Sequence, residues 1–144
     1  MIAYLFVFHF IADFLLQSRE MGSKKSSEFK WLLKHLSIQF EIFLFGLIAI
    51  FILTDQTWFS LFHKAIPFVI LNTLIHGVID WFIWKGYKAT VGIWMKNNPD
   101  HEATKLYLET GVFKFWEDKL FFDTIGFDQL LHALTIILLA GWLL

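Results

Sequence analysis

The stretch NTLIHGVIDWFIW, residues 72–84, is apolar enough to enter a membrane yet carries a histidine and an aspartate four positions apart. On a helix this spacing sets His76 and Asp80 one turn apart on one face, with Asn72 a turn before them. Ionisable groups inside hydrocarbon are costly unless something pairs with them. The rest of the chain must therefore supply partners, and the fold must bring polar faces of several helices together.

The composition agrees with this reading. Of 144 residues, 57% are hydrophobic and 19% aromatic, including 18 Phe and 7 Trp, and the mean hydropathy is +0.58. That exceeds what a soluble domain of this size needs. The absence of Cys excludes disulfides and thiolate metal sites, so any metal here has nitrogen and oxygen ligands. A net charge of −1 argues against nucleic acid as a partner. The first residues are apolar at once, with no basic region before them and no small-residue cleavage pattern. The opening segment thus reads as a retained membrane helix rather than a signal peptide.

Four apolar segments are predicted as membrane helices: about 2–17, 31–53, 67–84 and 124–144. The expected fold is all-α, a polytopic four-transmembrane-helix bundle forming one membrane domain over residues 1–144. The connection 18–30 carries Arg19, Lys24, Lys25 and Lys30. The third, 85–123, carries Lys85, Lys88, Lys96, Lys105, Lys114 and Lys119, whereas 54–64 holds only Lys64. By the positive-inside rule the first and third connections face the cytoplasm, which puts both termini outside in an inner (cytoplasmic) membrane. Within 85–123, Asn98 is expected as an N-cap and Pro99 as the first helical residue of a short cytoplasmic helix ending before Gly111. The aromatic, lysine-containing VFKFWEDKLFF that follows, residues 112–122, suits the headgroup region.

Every segment has polar residues four apart: His9 and Asp13, with Gln17 a turn further; His35 and Gln39; Asn72, His76 and Asp80; Asp128 and His132. Measured from the cytoplasmic ends, His9, Gln39, His76 and His132 lie about 13 Å deep and Asp13, His35, Asp80 and Asp128 about 7 Å. The two segments running inward read His then Asp, and the fourth, running outward, reads Asp then His. Reversed order produces the same layering, three histidines below three aspartates, with His35 and Gln39 closing the ring.

Interhelical hydrogen bonding alone is usually built from Ser, Thr, Asn or Gln. Three carboxylates in one buried layer repel one another unless a cation or several protons neutralise them. Neutral imidazole with carboxylate suits Zn, with Mn or Fe as alternatives. The expected metal ligands are His9, Asp13, His76, Asp80, Asp128 and His132, holding one or two divalent ions. Gln17, His35, Gln39, Asn72 and Gln129 are expected to support them from behind.

HFIADFLLQ, HGVID and DQLLH, in this order on four membrane helices, resemble an uncharacterised family of small bacterial and phage membrane proteins, domain of unknown function 3307. The resemblance covers nearly the whole chain. The family pattern falls on His9, Asp13, Phe14, Gln17, His76, Asp80, Asp128, Gln129 and His132. It implies a polytopic membrane protein whose motif positions form one site, and it brings no activity with it. In chemistry, though not in sequence, the layout is similar to membrane-embedded zinc hydrolases that hold the metal with histidines from different helices.

The function expected is a membrane-embedded, metal-dependent hydrolase in which Asp13, Asp80 and Asp128 also serve catalysis, acting on a lipid or amphiphile at the cytoplasmic side. An ion or metal transporter, or a non-catalytic binding or assembly protein with a structural His/Asp cluster, are the alternatives. The outer halves of the helices offer little beyond Tyr4, Asn72, Thr73 and Thr135 to line a conducting path. Glu41, in the middle of the second segment, either pairs at an interface between copies of the chain or stays protonated. His63 and His101 read as solvated loop residues, and Trp31, Trp58, Trp84 and Trp142 as interfacial anchors among membrane lipids. Gly77 invites close approach of a neighbouring helix.

Overall fold

An apolar chain in lipid can satisfy its backbone only within each segment, and helices do so. The computed structural model describes residues 1–54, 56–110 and 119–144, and among these there is no strand. Helix α1 (Ile2–Phe10) runs into a π-helical turn, Ile11–Leu15. A short α2 (Arg19–Lys24) precedes α3 (Phe29–Leu53). Helix α4 (Trp58–Ser60) continues through a second π-helical turn, Leu61–Ala65, into α5 (Ile66–Asn97). Helices α6 (Glu102–Thr110) and α7 (Lys119–Leu143) complete the fold.

Among the described residues, three helical runs are long and apolar enough to cross a membrane: Phe29–Leu53, Trp58–Asn97 and Lys119–Leu143. Ile2–Leu15 is apolar but shorter, about 21 Å by helical rise against a hydrocarbon core of about 30 Å. Helix α1 packs on α3 and α7, and α5 on both α3 and α7. The order α1, α3, α5, α7 therefore closes a ring.

Each helix turns one stripe inward. At one end of the ring the stripe is apolar, with Leu5, Phe43, Leu47, Phe68, Val69 and Ile136 buried together. Three or four residues along the same stripes come His9, Gln39, Asn72 and His132, also buried. Outward-facing positions such as Phe45, Leu74, Val78, Leu130 and Leu138 are exposed and apolar. A polar interior beneath an apolar exterior is the reverse of a soluble protein and suits lipid.

The third helix departs from the expected 67–84. Nothing after Trp84 stops it until Asn98, whose Nδ2 donates to the Trp94 carbonyl at 2.8 Å, with Pro99 next. Asn98 thus caps the end of α5 rather than the start of α6. The start of α6 is capped by His101, whose Nδ1 accepts from the Ala103 amide at 3.2 Å. At its other end α5 is preceded by the Thr57-capped turn of α4, where a loop to residue 64 was expected. The expected interfacial strip 112–122 and Gly111 fall largely on residues 111–118, outside the described residues. Its described part, residues 119–122, opens α7, and there Phe121 lies 5.8 Å from Trp84 and 5.9 Å from Tyr87, ring centre to ring centre.

Among the described residues, close approach of α3 to α1 and to α5 depends on two glycines. A Cβ on Gly77 would stand 2.7 Å from Leu36 Cδ1, and one on Gly46 would stand 2.5 Å from the ring of Phe8. Phe8 is itself held edge-on against Phe43, so its ring has little room to yield. Gly46→Val is expected to destabilise the bundle by about 1–3 kcal/mol, the usual range for overpacking. Thermal unfolding in detergent, followed by circular dichroism, measures it.

Candidate metal centre

The π-helical turn at Ile11–Leu15 is the first local feature that shapes the site. It adds a residue to the turn, closed by Leu16 N–H donating to the Ile11 carbonyl at 3.0 Å, and leaves both Ala12 and Asp13 buried. Such π-turns recur at functional sites, where they re-aim a side chain. The turn also ends the helix before Gln17, which therefore leaves the stripe. Gln17 packs instead against Gly22 of α2, where a Cβ would stand 2.9 Å from its Nε2.

Four donor atoms from three neighbouring elements converge. His35 Nε2 and His76 Nε2 lie 2.8 Å apart. Each lies 3.1 Å from Asp80 Oδ2 and 3.4 Å from Asp13 Oδ1. All four residues are buried. Hydrogen bonds cannot account for these five contacts, because ionised carboxylates carry no proton and each Nε2 carries at most one. A cation bound at about 2.0–2.2 Å by N and O ligands sets neighbouring donors roughly 2.8–3.6 Å apart, the range in which the observed edges fall. Gln39 donates its amide to Asp13 Oδ1 and lies 3.4 Å from His76 Nε2, so it also stands at the centre.

Asp80 is the hub. Its Oδ2 faces His35 and His76, while its Oδ1 faces Lys25 Nζ at 2.7 Å and His132 Nε2 at 3.8 Å. His132 lies 3.6 Å from Asp128 Oδ1, and its ring stacks on His76 with centroids 4.0 Å apart. His9 closes the third side, 3.5 Å from Asp13 Oδ2 and 3.2 Å from Gln129 Oε1. That His9–Gln129 contact ties the first helix to the last, and Gln129 Nε2 donates in turn to its neighbour Asp128 Oδ2 at 3.3 Å. Asn72 is buried one turn beyond His76, and its Nδ2 makes no hydrogen bond. Among the described residues, the buried histidines and aspartates thus form three overlapping groups able to hold a metal ion: His9, Asp13 and His76; His35, His76 and Asp80; Asp80, Asp128 and His132.

All six residues expected as ligands, with His35, Gln39 and Gln129, meet in this one cluster. His35 stands in the tightest set, whereas His9 and His132 stand one contact further out. Depth counted along a helix axis orders residues by height and carries no information on distance from the bundle centre. Glu41 is exposed on the outer face of α3.

Lys25 is the residue that sequence reasoning missed, having been counted as a loop charge. Ser18 caps α2 by accepting from Met21 N–H at 3.2 Å. Lys88 Nζ donates to the Ser23 carbonyl at 2.6 Å and so pins α2 against α5. That placement turns Lys25 inward, while Lys24 points outward to Glu20 at 2.8 Å. Two adjacent lysines are indistinguishable in sequence. The only available signal was electrostatic, since three buried carboxylates call for a cation.

The family described as Protein of unknown function (DUF3307) matches residues 1–143. The chain belongs to that family, as its motifs suggested. No curated protein and no solved structure matches it.

Proposed function

We propose that this DUF3307 protein is a membrane-embedded, metal-dependent hydrolase that acts on a lipid or amphiphile at the cytoplasmic side. The observation that carries the reading is the set of five contacts among His35, His76, Asp13 and Asp80, too many for the available protons. With Lys25 protonated, Asp13, Asp80 and Asp128 leave a balance of −2, which one divalent ion cancels. Held by His35, His76, Asp13 and Asp80, such an ion would supply the Lewis acidity that lowers the pKa of a bound water and polarises the bond to be cut. Asp128 Oδ1 and His132 Nε2 are buried, make no hydrogen bond and lie beside the donor set, so they suit the role of proton acceptor.

The opposite end of the ring is filled by Leu5, Phe43, Leu47, Phe68 and Ile136. This apolar filling argues against a conducting path and for access from the polar end alone. The basic connections support a cytoplasmic placement for that end, with Ile2–Leu15 as a short fourth crossing and both termini outside.

Because the chain has no Cys, single cysteines report topology cleanly. In intact cells an impermeant maleimide is expected to label Gln56→Cys and to spare Lys105→Cys; the reverse pattern would move the site to the other leaflet. Activity is tested by incubating metal-loaded protein in detergent with inner-leaflet phospholipids and other amphiphiles, with and without chelator. Turnover is expected to vanish with chelator and to fall about 100-fold or more in Asp128→Asn, the size of a lost general base. If no amphiphile turns over in metal-replete protein, the hydrolase reading gives way to a binding or assembly role.

A further inference from the structure

Asp80 presents its two oxygens in different directions, and only Oδ2 belongs to the donor set of His35 and His76. Around Oδ1 stand His132 Nε2 at 3.8 Å and, 3.6 Å from that nitrogen, Asp128 Oδ1. Both partners are buried, and neither atom makes a hydrogen bond. One oxygen from each of two carboxylates and one imidazole nitrogen, at these separations, is a ligand set for a second divalent ion. A carboxylate that bridges in this way holds paired ions about 3.5–4 Å apart in two-metal sites.

A cation already holds the oxygen that this set would need. Lys25 Nζ lies 2.7 Å from Asp80 Oδ1, and its side chain is 5% exposed. We propose that the Lys25 ammonium, by holding Asp80 Oδ1, keeps this second position from filling and thereby limits the centre to one divalent ion. The proposal rests on the reading of the first position as a metal site.

Three features of the fold support it. Lys25 is held there by its backbone, because α2 is fixed by the Ser18 cap, by buried Met21 and by Lys88 on the Ser23 carbonyl. The neighbouring Lys24 turns away to Glu20 and Glu28, so the inward direction belongs to position 25 alone. Charge completes the argument. Three aspartates, one ammonium and one divalent ion sum to zero, whereas a second divalent ion beside the ammonium would leave two positive charges uncompensated in a buried site. Removing the ammonium frees Asp80 Oδ1 as a ligand and removes the repulsion at once.

The test compares the full-length wild type with Lys25→Met, Lys25→Arg and a Lys25→Met/Asp128→Asn double variant, each loaded with Mn²⁺ and freed of excess ion. Elemental analysis gives ions per chain, and electron paramagnetic resonance reports whether two Mn²⁺ ions are exchange-coupled through a bridge. The expected result is one ion in the wild type, two coupled ions in Lys25→Met, and one each in Lys25→Arg and the double variant. If Lys25→Met does not purify as a helical protein, Lys25→Gln serves the same comparison. One ion in both wild type and the neutral variant overturns the proposal while leaving the first site intact, as do two ions in the wild type. No ion in the wild type removes the first site as well.

Discussion

Asp80→Asn is expected to lose the metal and to destabilise the fold by about 3–5 kcal/mol, the range for removing one partner of a buried ion pair. The carboxylate is fully buried and touches Lys25, His35, His76 and His132. Its replacement leaves a nearly buried ammonium without its closest counter-charge, and an amide nitrogen facing imidazoles that a metal requires as ligands. Adding Lys25→Met to Asp80→Asn separates the two effects. The double variant is expected to recover most of the stability, since the orphaned charge is gone, and to remain without metal. Chemical denaturation in detergent gives the first quantity and elemental analysis the second. Native stability in Asp80→Asn alone would mean that the Lys25 contact carries little energy.

His76→Ala is expected to have the second largest effect. The ring contacts His35 on one side and stacks on His132 on the other, and its Nε2 belongs to the tightest donor set. Truncation leaves a void between three helices, for which large-to-small changes in packed interiors cost about 2–5 kcal/mol. It also leaves Asp13 and Asp80 facing each other with one imidazole fewer between them. Metal affinity should fall by more than about 100-fold, because even residues that only support a ligand change affinity by 10–100-fold. His76→Gln fills more of the space without restoring the imidazole nitrogen. It should regain part of the stability and little of the affinity, as read by differential scanning calorimetry and metal titration.

What the sequence disclosed and what it concealed divide along physical lines. Polar residues four apart in apolar runs identified the inward face of each helix, because the energetic penalty for exposing them to lipid leaves few alternatives. The reversed order of Asp128 and His132 relative to His76 and Asp80 disclosed their common height for the same reason. The full length of α5 was hidden by Lys85, Lys88 and Lys96, which read as loop charges although lysine is a good helix former and nothing breaks the helix before Asn98. The departure of Gln17 was hidden because a π-turn has no simple residue signature. The place of Lys25 was hidden most completely, since its direction is decided by α2 docking against α5 through Lys88 and Ser23. His35, expected to support the ligands from behind, joins the tightest donor set only when α3 is seated between α1 and α5.

The claim on which the rest depends is that His35, His76, Asp13 and Asp80 hold a divalent ion, and metal content measures it most directly. Wild-type protein, purified in detergent, loaded with Zn²⁺ or Mn²⁺ and dialysed free of excess, is expected to carry one tightly held ion per chain. That ion should be lost on chelation and absent from His76→Ala and Asp13→Asn. Wild-type protein that retains no stoichiometric metal after loading, or variants that keep theirs in full, would contradict the account.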